Sequence, residues 1–134
     1  MKKQDKNISF RQVEIVNRFL AELDQHLADL QSGQAETAYE VNQFAELLFI
    51  NPNHLSDTVK EVIGKSPCAV YEEKLIVISK DMIINTNKPI NEIARILDYD
   101  PSHFTKFFKR FTGKTPKKYR NDNHPNLKTE EVTI

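Results

Sequence analysis

The sequence predicts an all-α protein in which two similar lobes, each a pair of helices around a tight turn, are joined by a long central helix. Three observations support this fold class. The composition, with 39% hydrophobic residues and three glycines among 134 residues, is typical of a helix-rich globular domain. A segment of about thirty residues recurs at a fixed interval. Both copies of that segment end in glycine, lysine, a hydroxyl residue and proline.

The part of the chain before the repeat predicts an amphipathic helix from Phe10 to Leu30, and we assign residues 1–36 to this lead-in. Apolar residues that step by three and four positions lie on one face of a helix; here they are Val13, Val16, Leu20, Leu23, Leu27 and Leu30. Residues 1–7 lack the apolar core of a signal peptide, and no apolar run approaches the ~20 residues of a membrane span. We therefore expect a cytoplasmic protein without a membrane partner.

The repeat has a period of 49 residues, because residues 41–70 align with residues 90–119 without a gap. A fixed period indicates repeated architecture. We predict a first helix–turn–helix unit at residues 37–66 and a second at residues 89–120. Nine aligned pairs are identical: Asn42 and Asn91, Ala45 and Ala94, Leu48 and Leu97, Pro52 and Pro101, His54 and His103, Lys60 and Lys109, Gly64 and Gly113, Lys65 and Lys114, and Pro67 and Pro116.

Each unit predicts two short helices with defined starts. Thr37 and Glu40 have the spacing of a capping box before the first helix. The second helices should begin at Asn51-Pro52 and Asp100-Pro101, since Asn and Asp are strong N-caps and Pro suits the first helical position. The residues expected to be buried, from their helical spacing, are Val41, Phe44, Ala45, Leu48, Leu55, Val59, Val62 and Ile63 in the first unit and Ile90, Ile93, Ala94, Leu97, Phe104, Phe107, Phe108 and Phe111 in the second.

The motif that ends both copies resembles the last residues of a phosphate-binding P-loop. That loop needs a further glycine five positions earlier, where this sequence has Val59 and Phe108. The proline also removes a backbone donor where phosphates would be held. We therefore interpret Gly64 and Gly113 as helix C-caps, and the following Ser-Pro or Thr-Pro pair as the start of the next helix.

The segment between the units is predicted to be a linker helix over residues 67–88. Residues 75–78 (Leu-Ile-Val-Ile) also have the composition of a strand, but a single strand would have no partner in this chain. We therefore favour the helix, and we assign residues 121–134 to a flexible polar tail.

The formal net charge of zero conceals a strong segregation of charge. Residues 101–120 contain seven basic residues and no acidic one, so the remainder of the chain carries minus seven. Such a concentration indicates a surface for a polyanion. The ordinary alternative is a solvated helix face, although such faces usually mix both signs.

The sequence offers no arrangement of residues typical of an enzyme. Cys68 is the single cysteine, which excludes an internal disulfide and a cysteine metal cluster, and its apolar neighbours predict a buried core residue. His54 and His103 occupy equivalent positions, but no acidic partner recurs beside both, so we expect packing or a phosphate contact rather than a metal pair. We expect no catalytic residues, no metal and no cofactor.

Two stretches, FAELLFINPNHLSDTVKEVIGKSP and INEIARILDYDPSHFTKFFKRFTGKTPKKYR, closely resemble the DNA-binding domain of the AraC/XylS family of bacterial transcription regulators. The resemblance covers about residues 40–120. It implies that the second helix of each unit enters a major groove, and that the two helices occupy successive grooves of a non-palindromic operator. The partners that it implies are double-stranded DNA, RNA polymerase and a separate effector-binding or dimerisation domain. One departure is the second turn, which lacks one residue and a glycine that family members usually have.

The outward faces of the second helices are the predicted DNA-contacting surfaces. In the first unit they carry Asn53, Ser56, Asp57 and Lys60, and in the second Ser102, Thr105, Lys106, Lys109 and Arg110. The predicted phosphate contacts near helix ends are Lys65, Lys114 and Lys117. The charges of Asp57, Lys60 and Glu61 sum to minus one, which leaves a second hypothesis open: a protein-interaction module with this fold and weak or lost DNA binding.

Overall fold

The computed structural model describes residues 8–123, and all the regular secondary structure in this part of the chain is helical. The all-α prediction is confirmed, and the strand considered at residues 75–78 is helical instead. The seven helices are α1 (Phe10–Ser32), α2 (Val41–Leu48), α3 (Pro52–Ile63), α4 (Pro67–Asn85), α5 (Ile90–Ile96), α6 (Pro101–Thr112) and α7 (Pro116–Asn123). Most of the predicted polar tail lies outside the described residues.

The chain divides into two compact units, Met1–Lys74 and Leu75–Ile134, and the boundary falls within α4. The first compact unit contains α1, α2, α3 and the start of α4, and the second contains the rest of α4 with α5, α6 and α7. Each unit has its own apolar core, so each is described separately below.

Helix α1 begins at a capping box and ends at a left-handed glycine. Ser9 Oγ accepts the amide N–H of Gln12 at 3.1 Å, and Gln12 Oε1 accepts the amide N–H of Ser9 at 2.8 Å. Gly33 has φ 86° and donates its amide to the carbonyl of Leu30. The buried residues of α1 are Ile15, Val16, Phe19, Leu23, His26, Leu27 and Leu30.

The buried stripe of α1 differs by part of a turn from the one expected. Val13 is 38% exposed, whereas Ile15 and Phe19 are almost fully buried. Both stripes satisfy helical spacing, and the packing of α1 on α2 and α3 selects the one that brings the Phe19 ring edge-on against Phe44, with 5.6 Å between centroids.

Helix α2 starts at Val41, but its cap is not the predicted one. Glu40 is the N-cap residue, and its amide N–H donates to Gln43 Oε1 at 2.9 Å. The expected Thr37–Glu40 pair precedes the helix by one turn. Val41 is half-buried, while Phe44, Ala45 and Leu48 form the buried face.

A buried histidine that no sequence pattern indicated holds the segment before α2. His26 is 4% exposed, its Nε2 accepts the amide N–H of Tyr39 at 2.9 Å, and its ring stacks on the Tyr39 ring at 4.0 Å. Burial lowers the pKa of His26 from its ordinary value, and the nearby carboxylate of Asp29 opposes this shift in part. The fold therefore requires the neutral imidazole as an acceptor.

The core of the second compact unit contains an aromatic cluster. Phe104 and Phe108 are fully buried, and the rings of Tyr99 and Tyr119 lie edge-on against them at 6.2 and 5.1 Å. Phe111, which was expected to be buried, is 40% exposed. It lies in the last turn of α6, as the half-buried Val62 does in α3, where the helix has fewer neighbours to cover it.

Cys68 is exposed rather than buried. Pro67, the first residue of α4, is buried. Successive residues of a helix point in different directions, so Cys68, the next residue, lies toward solvent. The apolar neighbours of Cys68 in the sequence were therefore a poor guide to its environment.

Candidate nucleic-acid interface

The turns that precede α3 and α6 have the same backbone geometry. In the first unit the amide of Ile50 donates to the carbonyl of Ala45 at 3.1 Å, and Phe49 is left-handed with φ 60°. In the second unit the equivalent bond is 2.8 Å long, and Asp98 has φ 62°. The shortened second turn is therefore a copy of the first turn.

Both second helices begin with the same side-chain cap. Asn51 accepts the amides of the second and third residues after it at 2.7 and 3.3 Å, and Asp100 does the same at 3.1 and 3.3 Å. Hydrogen bonds to Asp100, first from the Ser102 hydroxyl and then from the His103 amide, hold the pKa of Asp100 below its usual value. Proline at the first helical position completes the start of α3 and α6.

Both second helices also end alike. Gly64 and Gly113 have φ 90° and 81°, and each donates its amide to the carbonyl four residues earlier at 2.8 Å. Ser66 and Thr115 then cap the next helix through their hydroxyls, at 3.1 and 3.2 Å. The repeated motif therefore ends one helix and begins the next, as interpreted from the sequence.

The outward face of α3 carries the residues predicted from the sequence. Asn53, Asp57 and Lys60 are exposed, and Ser56 is half-buried. Glu61 on the same helix accepts a hydrogen bond from Gln12 Nε2 of α1 at 2.6 Å. This contact ties the lead-in helix to α3, and no spacing in the sequence indicated it.

The outward face of α6 is more basic. Lys106, Lys109 and Arg110 are exposed, and the Arg110 guanidinium lies 5.1 Å from the centroid of the Phe111 ring. Within residues 8–123, Lys106 and Lys109 have no carboxylate within ion-pair distance. Their charges therefore remain available to a partner.

The two hydroxyl residues predicted on this face are engaged in the helix itself. Ser102 is exposed but donates its hydroxyl to Asp100 Oδ2 at 2.6 Å. Thr105 is half-buried and donates its hydroxyl to the carbonyl of Pro101 at 3.1 Å. Either oxygen can still accept a hydrogen bond, but its proton is not free for one.

Two of the three predicted phosphate contacts are ion-paired. Lys65 Nζ lies 2.6 Å from Glu73 Oε2, and Lys114 Nζ lies 2.7 Å from Asp122 Oδ2. These acids are also 49 positions apart, but they follow the aligned segment, so the repeat alone did not reveal them. The third, Lys117, is exposed.

Arg120 does not belong to the basic surface in the way its charge suggested. Its Nε donates to the carbonyl of Ile83 at 2.9 Å and its Nη2 to the carbonyl of Thr86 at 3.3 Å. These bonds satisfy carbonyl groups at the C-terminal end of α4. Burial of the guanidinium lowers the pKa of Arg120, so this residue is part of the fold.

The two equivalent histidines, His54 and His103, are both exposed in the first turns of α3 and α6. Over the described range, no group of three or more histidine, cysteine, aspartate or glutamate side chains is placed to hold a metal ion. None of the helices within residues 8–123 has the length and apolar character that crossing a membrane requires.

Comparison with known proteins identifies the fold. The helix-turn-helix domain family matches residues 44–122, and a search among curated proteins found no match. The C-terminal domain of the response regulator yesN from Fusobacterium nucleatum is similar, with 22% identity, a TM-score of 0.65, and coverage of 76% of this chain and 93% of that one. The C-terminal domain of AraT, a response regulator from Geobacillus stearothermophilus, is also similar. It has 25% identity and a TM-score of 0.64, and the alignment covers 76% of this chain and 85% of that one.

A third similar structure is the DNA-binding domain of AdpA, a global transcriptional factor, in complex with a target DNA. It is 16% identical with a TM-score of 0.64, and the alignment covers 77% of this chain and 90% of that one. The family match spans more than half of the chain and includes most of the first repeat unit and all of the second. This family consists of regulator domains rather than enzymes. The chain therefore belongs to the AraC-type helix-turn-helix family.

Proposed function

We propose that this chain is a sequence-specific DNA-binding domain of a transcription regulator, and that it inserts α3 and α6 into successive major grooves. The observation that carries the proposal is that α3 and α6 are held in the same way in the two repeat units. Each has the same turn, the same side-chain cap and the same glycine end, and each directs a polar face to solvent. A major groove of ~12 Å admits one helix, so two such helices suit two grooves.

The operator is proposed to be non-palindromic, because the two helices expose different residues at equivalent positions. Asp57 in α3 corresponds to Lys106 in α6, and Ser56 corresponds to Thr105. A carboxylate accepts a hydrogen bond from the amino group of cytosine, whereas lysine donates to guanine. One chain would thus read two unlike half-sites about one helical turn, or ~34 Å, apart.

The second compact unit is proposed to supply most of the electrostatic affinity. Residues 75–134 carry 11 basic and 7 acidic side chains, whereas residues 1–74 carry 8 basic and 12 acidic ones. Attraction to phosphates therefore favours α6 and its surroundings, with Lys109 and Lys117 as phosphate contacts and Lys106 facing a base. The negative first unit is expected to contribute base preference more than affinity.

Two further partners are proposed from the relatives. The yesN and AraT structures are C-terminal domains of response regulators, so an effector-binding or dimerisation domain, on the same or another polypeptide, is a reasonable partner for this one. RNA polymerase is the other proposed partner, since regulators act on transcription. The cytoplasm is the proposed location, because that is where bacterial DNA and polymerase are found.

The alternative hypothesis, a protein-interaction module, has one observation in its favour. Phe49, which lies in the turn before α3 and has a left-handed backbone, is 89% exposed, and an exposed aromatic ring is a typical contact for a protein partner. This hypothesis leaves without a role Lys106 and Lys109, which have no carboxylate partner among residues 8–123, so DNA binding accounts for more of the surface. The two hypotheses predict different results for salt-dependent binding to duplex DNA.

The test is binding to random duplex DNA at several salt concentrations, followed by selection of bound sequences from a random pool. DNA binding predicts that the logarithm of affinity falls with the logarithm of salt concentration, with a slope of about 0.9 per phosphate contact. The selected sequences should contain two unlike half-sites. Absence of salt-dependent binding would contradict the DNA-binding proposal. Enrichment of a palindrome would contradict the proposed pair of unlike half-sites.

A further inference from the structure

In each repeat unit the lysine after the glycine cap pairs with a carboxylate just beyond the unit. The pair encloses the turn after the recognition helix, meaning α3 or α6. Lys65 pairs with Glu73 at 2.6 Å and Lys114 pairs with Asp122 at 2.7 Å. In both units the lysine directly follows the glycine cap, and the acid lies eight residues further on in the next helix. The pair is thus reproduced at atomic detail in the two copies.

Stability does not explain why both units have this pair. The four side chains are 31–49% exposed, and ion pairs at such positions contribute little to stability because solvent screens them. The turn is already held by the glycine cap and by the hydroxyl cap of the next helix. The carboxylates therefore hold lysines that the turn itself does not need.

The pair in the second unit holds two lysines rather than one. Asp122 Oδ1 also lies 3.3 Å from Lys118 Nζ, so one carboxylate engages Lys114 and Lys118 together. The hydrogen bond from Lys114, followed by the one from Lys118, keeps the pKa of Asp122 below its usual value. Asp122 is consequently charged at neutral pH and neutralises part of the surface with the highest density of basic residues.

We propose that Glu73 and Asp122 are internal counterions that compete with DNA phosphates for these lysines and so limit affinity for DNA of any sequence. The inference rests on the proposed DNA-binding function. A lysine held by a carboxylate neutralises no phosphate and releases no cation from DNA, so the pair reduces both affinity and its dependence on salt. Contacts to bases are unaffected, so affinity for specific and for random sequences changes by a similar factor and the ratio between them is kept.

The test replaces each carboxylate by its amide and measures binding to random duplex DNA across a range of salt concentrations. Glu73→Gln releases one lysine and should steepen the logarithmic salt slope by about 0.9. Asp122→Asn releases two and should steepen it by about 1.8. At ~0.1 M salt the corresponding gain in affinity is up to roughly tenfold for each released lysine.

The matched control is Asp24→Asn. Asp24 pairs with Lys74 at 2.8 Å, so this variant makes the same change of charge and also frees a lysine, but the pair does not enclose a recognition-helix turn. It should leave the slope within error of the parent value. Thermal unfolding of every variant checks that the fold is intact, and Glu73→Gln and Asp122→Asn test the idea independently in separate compact units.

A double-mutant cycle with Lys65→Ala separates the effect of releasing Lys65 from the general effect of removing one negative charge. In a Lys65→Ala background, Glu73→Gln should change binding no more than Asp24→Asn does. If the parent chain binds DNA with a normal salt slope and the amide variants match the control, the counterion role is wrong and the DNA-binding proposal stands. If the parent chain shows no salt-dependent binding, both are wrong.

Discussion

At the scale of single residues, the fold depends on a few positions whose backbone or side chain has one acceptable state. Gly113 and Gly64 need a left-handed backbone, and His26 needs an uncharged ring. These are local requirements, and each can be tested by one substitution.

Gly113→Val should destabilise the chain by about 1 kcal/mol or more, because a β-branched residue resists the left-handed region. No heavy atom lies within 4 Å of a Cβ built at this position, so the loss reflects backbone strain rather than a clash. Urea unfolding of Gly113→Val and Gly113→Asn gives the comparison, and Asn, which tolerates this conformation, should lose less. Equal losses would point to a different cause.

The stability of the chain should fall as the pH drops below about 6.5, through His26. The unfolded imidazole titrates near its ordinary value of 6.5, while burial lowers the pKa of the folded one. Between these values the unfolded state binds more protons, so the contribution is complete above pH 6.5 and is lost as pH falls through the folded pKa.

Denaturant unfolding between pH 5 and 8 measures this dependence. His26→Gln, which keeps an acceptor for the Tyr39 amide, should flatten the curve in this range, whereas His103→Gln, at an exposed position, should leave it nearly unchanged. A curve for His26→Gln that matches the parent would assign the pH dependence to other groups.

At the scale of elements, the two recognition helices share a backbone arrangement but differ in the chemistry that they expose. Helix α6 presents lysines without carboxylate partners in the described part of the chain, and α3 presents a mixed face that includes Asp57 and Glu61. Their roles on DNA should differ accordingly.

Lys109→Ala should weaken binding to every DNA sequence by a similar factor and reduce the logarithmic salt slope by about 0.9, because this lysine is proposed to neutralise a phosphate. Lys60→Ala, the equivalent change in α3, is the matched control, and its effect should be smaller beside the acidic groups of that helix. The measurement is a salt titration on one operator and on random duplex. A loss confined to the operator would instead indicate that Lys109 contacts a base.

At the scale of the whole molecule, the segregation of charge predicts a division of labour between the two units. Asp57→Ala should relax base preference at one position in the first half-site while leaving or raising overall affinity, since removal of a carboxylate reduces repulsion from phosphates. Lys106→Ala should lower affinity and, where it faces guanine, relax preference in the second half-site by ~1–3 kcal/mol.

Both variants should be measured on a panel of single-base changes across the selected operator. The two maps of altered preference should not overlap. Much weaker binding of Asp57→Ala to every sequence would mean that Asp57 orients α3, and the division between a reading unit and an affinity unit would be wrong.

The sequence by itself determined the helices, most of their ends and the duplication. Caps such as Asn51 and Gly113 act through neighbouring backbone groups, and the spacing of residues such as Phe104 and Phe108 follows from the geometry of one helix. These are short-range effects, so they can be predicted from local spacing and from the interval of 49 residues. The family was recognised on the same local motifs.

Only the tertiary structure decided which of several equivalent stripes is buried and which charges are free. Ile15 rather than Val13 enters the core, Phe111 stays exposed, and Lys114 is held by Asp122. Arg120 similarly satisfies carbonyl groups more than thirty residues away. Such outcomes depend on where other helices lie, and a side chain's partner in space leaves no mark in the spacing of its own segment.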